Sequence, residues 1–149
     1  MADSDAAVRY RHTQAGWAMA GTAVAILGVV AWQTTSRNPG PTLVVGAVLV
    51  LLLLVMPSLT VEVTDVEIRC RFGVIPYWKR LPLSRVASAT PVRNNPLYGW
   101  GVRWTPHGWL WNISGLDAVE LRYHDGGTFR IGTDEPDRLA AAIAERLPR

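Results

Sequence analysis

Residues 118–132 have the sequence AVELRYHDGGTFRIG, and this stretch decides the fold of the second half of the chain. Val119, Leu121 and Tyr123 alternate with polar residues, a pattern typical of a half-buried strand. The Asp-Gly-Gly at 125–127 suits a tight turn that needs a positive φ. The stretch therefore predicts a β-hairpin, and we expect neighbouring segments to extend it into a sheet.

Alternation of apolar and polar residues also marks the segments upstream of this hairpin. Val61, Val63, Ile68 and Cys70 alternate with charged residues, which predicts a second hairpin that turns near Asp65. Turn residues separate the further candidate strands. These lie at 75–81, 85–92, 101–104 and 109–113.

An amphipathic helix is predicted to end the chain. Leu139, Ala142, Ile143 and Leu147 recur at the spacing of one helical face. Thr133 or Asp134 is expected to cap this helix, and Pro136 is tolerated in its first turn. We expect the helix to cover one face of the sheet.

Two uncharged apolar runs dominate the first half of the chain, at 15–32 and 42–59. Each is about 27 Å long as a helix, close to the ~30 Å thickness of the bilayer hydrocarbon. Trp17 and Trp32 flank the first run, and residues 33–41 contain the helix breakers of a short linker. These features predict a transmembrane helical hairpin; the alternative, a cleaved signal peptide, lacks a clean cleavage site.

The basic residues near these runs predict an orientation. Arg9 and Arg11 precede the first run and several basic residues follow the second, whereas the linker holds only Arg37. By the positive-inside rule, both termini are expected in the cytoplasm of a multi-pass cell-membrane protein. The predicted organisation is then a cytoplasmic tail, the helical hairpin and a cytoplasmic β domain. Their bounds are 1–14, 15–59 and 60–149.

Several short motifs of the β domain resemble those of a known family. They are GWGVR at 99–103, WLWNIS at 109–114, AVEL at 118–121, DGG at 125–127 and FRIGTD at 129–134. They are similar to those of bacterial membrane proteins with two N-terminal spans and a pleckstrin-homology-like (PH-like) domain. The resemblance implies a partly open barrel of about seven antiparallel strands with one C-terminal helix, and no particular activity.

One departure from that family bears on ligands. Phosphoinositide-binding PH domains carry a basic first hairpin loop, but here Glu62 and Glu67 flank a turn at Asp65. We therefore do not expect recognition of an inositide headgroup.

Composition excludes several classes of function. Among 149 residues, 49% are hydrophobic, 18% are charged and the net charge is only +3, which argues against nucleic-acid binding. Cys70 is the only cysteine, so no intramolecular disulfide or common zinc site is expected. No catalytic motif or cofactor motif is present, and an enzyme that uses His107 or His124 is a minor alternative.

A basic and tryptophan-rich stretch supplies the candidate binding surface. No acid occurs between Ile68 and Leu116, a region that holds five of the seven tryptophans. The alternative interpretation is that the basic side chains of this stretch lie on solvated faces of different strands and that the tryptophans form the core. The candidate surface residues are Arg69, Arg71, Lys79, Arg80, Arg85, Arg93, Tyr98, Trp100 and Arg103.

The sequence thus predicts a non-enzymatic, membrane-tethered interaction module. Its PH-like domain would bind a protein partner, either a membrane protein or a second copy of the chain. The alternative is a peripheral reader of anionic lipid that uses the basic, tryptophan-rich face.

Overall fold

A computed structural model describes residues 7–34, 39–55, 58–76 and 78–147 of the chain. Residues 1–6 of the predicted tail and residues 35–38 of the predicted linker lie outside the described residues, as does Tyr77 of a predicted strand. The described residues form three α-helices and two β-sheets. The helices are α1 (Trp17–Thr34), α2 (Pro39–Val55) and α3 (Pro136–Ala144).

The first sheet is antiparallel and has the strand order β1-β2-β3-β4. Its β2–β3 pair is the predicted hairpin at Asp65, with Val61 opposite Cys70 and Val63 opposite Ile68. Strand β1 lies in the segment predicted to be a tail, where His12 pairs with Val61. The strands are β1 (Val8–Ala15), β2 (Ser58–Thr64), β3 (Glu67–Phe72) and β4 (Lys79–Pro82).

The second sheet has the order β5-β8-β9-β7-β6, and its central hairpin β8–β9 is the one predicted at 118–132. Strands β7 and β9 run parallel, unlike the other pairs. This pairing requires glycine at position 108, because a Cβ there would overlap the Thr128 carbonyl. The strands are β5 (Val86–Arg93), β6 (Gly101–Thr105), β7 (Gly108–Asn112), β8 (Asp117–Tyr123) and β9 (Thr128–Gly132).

The core lies between the two sheets and α3. The alternating apolar residues of β2, β3, β8 and β9 are buried there, together with Leu139 and Ile143 of α3. This confirms the predicted C-terminal helix and its apolar face. The predicted cap at Thr133 or Asp134 is wrong, because Glu135 is the N-cap residue and its side chain makes no capping hydrogen bond. The Thr133 hydroxyl instead accepts the Glu135 N–H just before the helix.

The predicted membrane spans require a correction. Among the described residues, no helix is both long and apolar enough to cross a membrane. The ends of the two apolar runs are strand residues instead, since Ala15 pairs with Ser58 and Gln14 with Leu59. Helices α1 and α2 have 18 and 17 residues, about 27 and 26 Å against a hydrocarbon thickness of ~30 Å.

On this finding the prediction of two spans at 15–32 and 42–59 is wrong. The multi-pass membrane location and the cytoplasmic placement of both termini were derived from those spans, and they are withdrawn with them.

The fold class is confirmed at the coarse level. The chain is mainly β with one C-terminal helix, as predicted. The described residues contain nine strands in two separate sheets with one parallel pair, rather than about seven antiparallel strands of a single partly open barrel. Strand β1 and the β7–β9 pair account for much of the difference, because both depend on contacts distant in sequence.

Candidate interaction surface

A pocket of about 180 Å³ lies where the free edge of the first sheet meets the second sheet. We call it the seam pocket. Strand β4 and the residues just after it form one side, and the ends of β7, β8 and β9 form the other. The lining residues are Lys79, Arg80, Leu81, Pro82, Arg85, Trp109, Tyr123, Thr128 and Phe129.

Two aromatic residues of the pocket, Phe129 and Trp109, belong to a row of side chains that crosses the second sheet. Leu121, Phe129, Trp109 and Trp104 are successive cross-strand partners, so their side chains share a face. Leu121 and Phe129 are buried in the core, whereas Trp109 is 46% exposed and Trp104 is 70% exposed. The row therefore runs from the core out into solvent.

The two exposed tryptophans contact each other. Their ring centroids are 5.3 Å apart and the rings are nearly perpendicular, at 82°. This edge-to-face arrangement is favourable for aromatic pairs and restricts both side chains. The pair thus presents a preformed apolar surface beside the seam pocket.

Trp111 marks the limit of the core on the adjacent row. Its ring lies 5.2 Å from that of Phe72 and 6.1 Å from that of Phe129, and the side chain is half-buried. Its cross-strand partner Val102 is exposed. Trp111 is therefore a packing residue, in contrast to Trp104.

Three cations line the seam pocket, and none of its lining residues is acidic. The Arg85 guanidinium lies 5.2 Å over the Tyr123 ring and bonds Asp125 at 2.9 Å. The Arg80 guanidinium lies 3.8 Å from Glu67, on the outer face of the first sheet where Arg80 pairs with Arg69. The positive charge of the pocket is thus partly compensated at its rim.

Lys79 is the least compensated of the three cations. Within the described part of the chain, no carboxylate forms a salt bridge with its ammonium group. Cys70 is a titratable neighbour of Lys79, since the two residues pair across β3 and β4. Burial raises the pKa of the Cys70 thiol to about 12, and the charge of Lys79 opposes this only in part. The thiol therefore stays neutral and does not offset the lysine charge.

The structure distributes the predicted surface residues over three places. Lys79, Arg80 and Arg85 meet at the seam pocket. Arg69 and Arg71 lie on the outer face of the first sheet, where Arg69 pairs with Glu67 and Arg71 lies 4.6 Å over the Trp78 ring. The remaining residues lie at the end of β5, in the segment that follows it and on β6. These are Arg93, Tyr98, Trp100 and Arg103.

Hydrogen bonds hold the segment between β5 and β6 to its neighbours. Trp100 Nε1 donates to the Gly115 carbonyl at 3.2 Å, and Arg103 Nε donates to the Trp100 carbonyl at 2.9 Å. Tyr98 packs edge-on against His107. Tyr98 and Trp100 therefore help to fix this segment in place, whereas the Leu97 side chain is 89% exposed.

The sequence did not single out Trp104 and Trp109 as surface residues. Both belong to the inner-facing row of the second sheet, the position at which aromatic residues of a small sheet are ordinarily buried. Their exposure depends on where the first sheet ends relative to β6 and β7. A single sequence gives no signal for that offset.

No metal site was predicted, and the described residues contain no group of three or more His, Cys, Asp or Glu side chains placed to hold a metal ion. His12 bonds Asp134 at 2.5 Å and lies 3.6 Å from Glu135 through its other ring nitrogen. This cluster connects β1 to the start of α3.

Comparison with protein-family models and with curated protein sequences finds no match for the chain. The predicted membership of a family of membrane proteins with two spans and a PH-like domain is therefore corrected on two grounds. First, the structure does not support the two spans. Second, no family model matches the chain. The resemblance rested on short motifs that are turn and core positions, which many β domains share.

Proposed function

We propose that this chain is a non-enzymatic interaction module that binds a protein partner through the seam pocket and the adjoining Trp104–Trp109 pair. The exposure of this edge-to-face pair beside the basic residues of the seam pocket carries the proposal. Tryptophan, tyrosine and arginine dominate binding energy at protein interfaces. An exposed pair of large aromatic side chains on a monomer also marks an interaction site more often than chance.

The rigidity of the surface supports the same proposal. Both tryptophans lie on hydrogen-bonded strands and restrict each other, so little side-chain entropy is lost when a partner covers them. The row that they terminate is anchored in the core by Phe129. The surface is therefore organised before binding.

The test is affinity capture with the full chain as bait, using the double variant Trp104→Ala/Trp109→Ala. We expect a specific protein to be captured by the wild type and to be reduced at least about tenfold by the double variant. The matched control is Leu97→Ala, which removes an even more exposed apolar side chain away from the seam.

Three results would count against the proposal. Capture that the double variant leaves unchanged would exclude the seam as the contact, and the absence of any specific protein would exclude the function. Salt-sensitive binding to anionic vesicles that both tryptophan substitutions reduce would replace it with the lipid reader.

A further inference from the structure

We propose that the seam pocket accepts the carboxylate of an Asp or Glu side chain from an acidic segment of the partner, with an apolar neighbour of that residue lying against Trp104 and Trp109. This inference rests on the proposed function and identifies the chemistry of its ligand.

The charge of the pocket points to a carboxylate. Lys79 and Arg85 come from one side of the pocket, and the lining contains no acid. Arg80 also lines the pocket, but its guanidinium lies beside Glu67 on the outer face of the first sheet. Arginine presents a planar set of donors that matches a carboxylate, while lysine adds a compact charge. An acidic side chain would therefore find both geometric and electrostatic complements.

Arg85 already demonstrates this chemistry within the chain. Its guanidinium holds the Asp125 carboxylate at 2.9 Å, and both side chains are more than half exposed. Hydrogen bonding by the Gly127 N–H and then by Arg85 lowers the pKa of Asp125. Because an exposed ion pair of this kind contributes little stability, an incoming carboxylate can compete for Arg85. Asp125 therefore competes with the incoming carboxylate for Arg85.

The size of the pocket favours a side chain over a larger ligand. Its volume of about 180 Å³ is below the ~300–1,000 Å³ of pockets that enclose drug-sized molecules. An aspartate or glutamate side chain fits this space and leaves the rest of the segment outside. The Trp104–Trp109 pair then provides the surface for an adjacent aliphatic or aromatic residue of that segment.

The edge of the first sheet limits the alternative of strand addition. Strand β4 is an edge strand, but it has only four residues and ends at Pro82, which has no N–H to donate. Side-chain contacts with the pocket and the tryptophans must therefore supply most of the binding energy.

The test measures fluorescence anisotropy with two labelled synthetic peptides, Gly-Ser-Glu-Leu-Glu-Leu-Ser and its glutamine counterpart, against the full chain. We expect the acidic peptide to bind at least about tenfold more tightly, and this preference to diminish as salt rises. Lys79→Gln and Arg85→Gln should each weaken binding several-fold. Arg93→Gln, which removes an exposed cation elsewhere, should leave it unchanged.

Asp125→Asn supplies a change in the opposite direction. The amide keeps an acceptor for the Gly127 N–H but releases Arg85, so the acidic peptide should bind more tightly. Circular dichroism of each variant shows whether the fold is retained. A gain of binding cannot be explained by misfolding.

Equal binding of the two peptides, or equal loss with Arg93→Gln, would overturn the inference. If the acidic peptide is not preferred but the tryptophan variants still lose the captured partner, the occupant is wrong and the proposed function stands. If Lys79→Gln and Arg85→Gln reduce binding to phosphatidylserine vesicles and not to the acidic peptide, the pocket serves lipid instead.

Discussion

Arg130 on β9 donates two hydrogen bonds to the same oxygen of Glu120 on β8, from Nε at 2.8 Å and from Nη2 at 2.6 Å. Both side chains are buried on the face of the second sheet opposite to the core. The third guanidinium nitrogen donates to the Asn94 side chain at 3.1 Å, just after β5. This ion pair therefore connects the central hairpin to the segment that leads into β6.

Removing the charge of Glu120 should destabilise the fold. Loss of one partner leaves the other charge buried and uncompensated, which costs about 3–5 kcal/mol. We expect Glu120→Gln to lower the free energy of unfolding by about that amount at neutral pH, measured by urea denaturation. The control is Glu145→Gln, which alters an exposed pair with Arg146 and should change little.

The effect of Glu120 should also depend on pH. Burial alone would raise the pKa of Glu120, but hydrogen bonds and charges from Arg130 and Arg122 outweigh it and hold the pKa below its usual 4.5. A lowered folded-state pKa contributes stability that is present above the unfolded value and lost as pH falls through the folded value. The difference between wild type and Glu120→Gln should therefore shrink on acidification below 4.5. A constant difference would contradict this account.

Local patterns predicted those elements whose contacts lie close in sequence. The hairpin at 118–132 and the face of Leu139 and Ile143 on α3 follow from alternation and helical periodicity. Strand β1 could not be found in this way, because most of its residues are exposed and its partner lies beyond α1 and α2. The same limit applies to the parallel pair β7–β9.

The candidate site shows the same division. The sequence identified the basic residues Lys79, Arg80 and Arg85 but could not group them apart from Arg69 or Arg93. Only the packing of two sheets decides which cations share a pocket. The exposure of Trp104 likewise depends on the extent of the first sheet, a property of the whole fold.

Trp111 on β7 and Trp104 on β6 should differ in their contribution to stability. Trp111 packs between Phe72 and Phe129, so Trp111→Ala should cost about 3 kcal/mol through lost contacts and a cavity. Trp104 is mostly exposed, and Trp104→Ala should cost about 1 kcal/mol or less. Thermal or urea denaturation of the two variants tests the order. Equal losses would show that Trp104 is part of the core.

Gly108 should tolerate substitution far less well than Gly126. Both have positive φ, +81° and +85°, so alanine adds comparable backbone strain at either position. At Gly126 the added Cβ meets open space, whereas at Gly108 it meets the Thr128 carbonyl in the β7–β9 pair. We expect Gly108→Ala to lose about 1–3 kcal/mol more than Gly126→Ala. Similar losses in urea denaturation would mean that β7 shifts readily away from β9.

Cys70 should be protected from thiol reagents for as long as the protein is folded. The side chain is fully buried between the sheets, and this burial raises its pKa from 9.0 to about 12, with Lys79 acting in the opposite direction. The thiolate is the reactive form, so both access and ionisation disfavour reaction near neutral pH. We expect an aromatic disulfide reagent to label native protein only through unfolding, and to label it quickly in urea.

The same thiol links stability to alkaline pH. A folded-state pKa raised above the unfolded value contributes stability that is present below the unfolded value and lost as pH rises through the folded value. Stability should therefore decline as pH rises from 9.0 towards about 12, and Cys70→Ala should reduce the part of that decline due to the thiol. Because the chain has a single cysteine, the labelling signal has no background from other thiols. Rapid labelling of the native protein would show that the interface between the sheets opens at β3 without global unfolding.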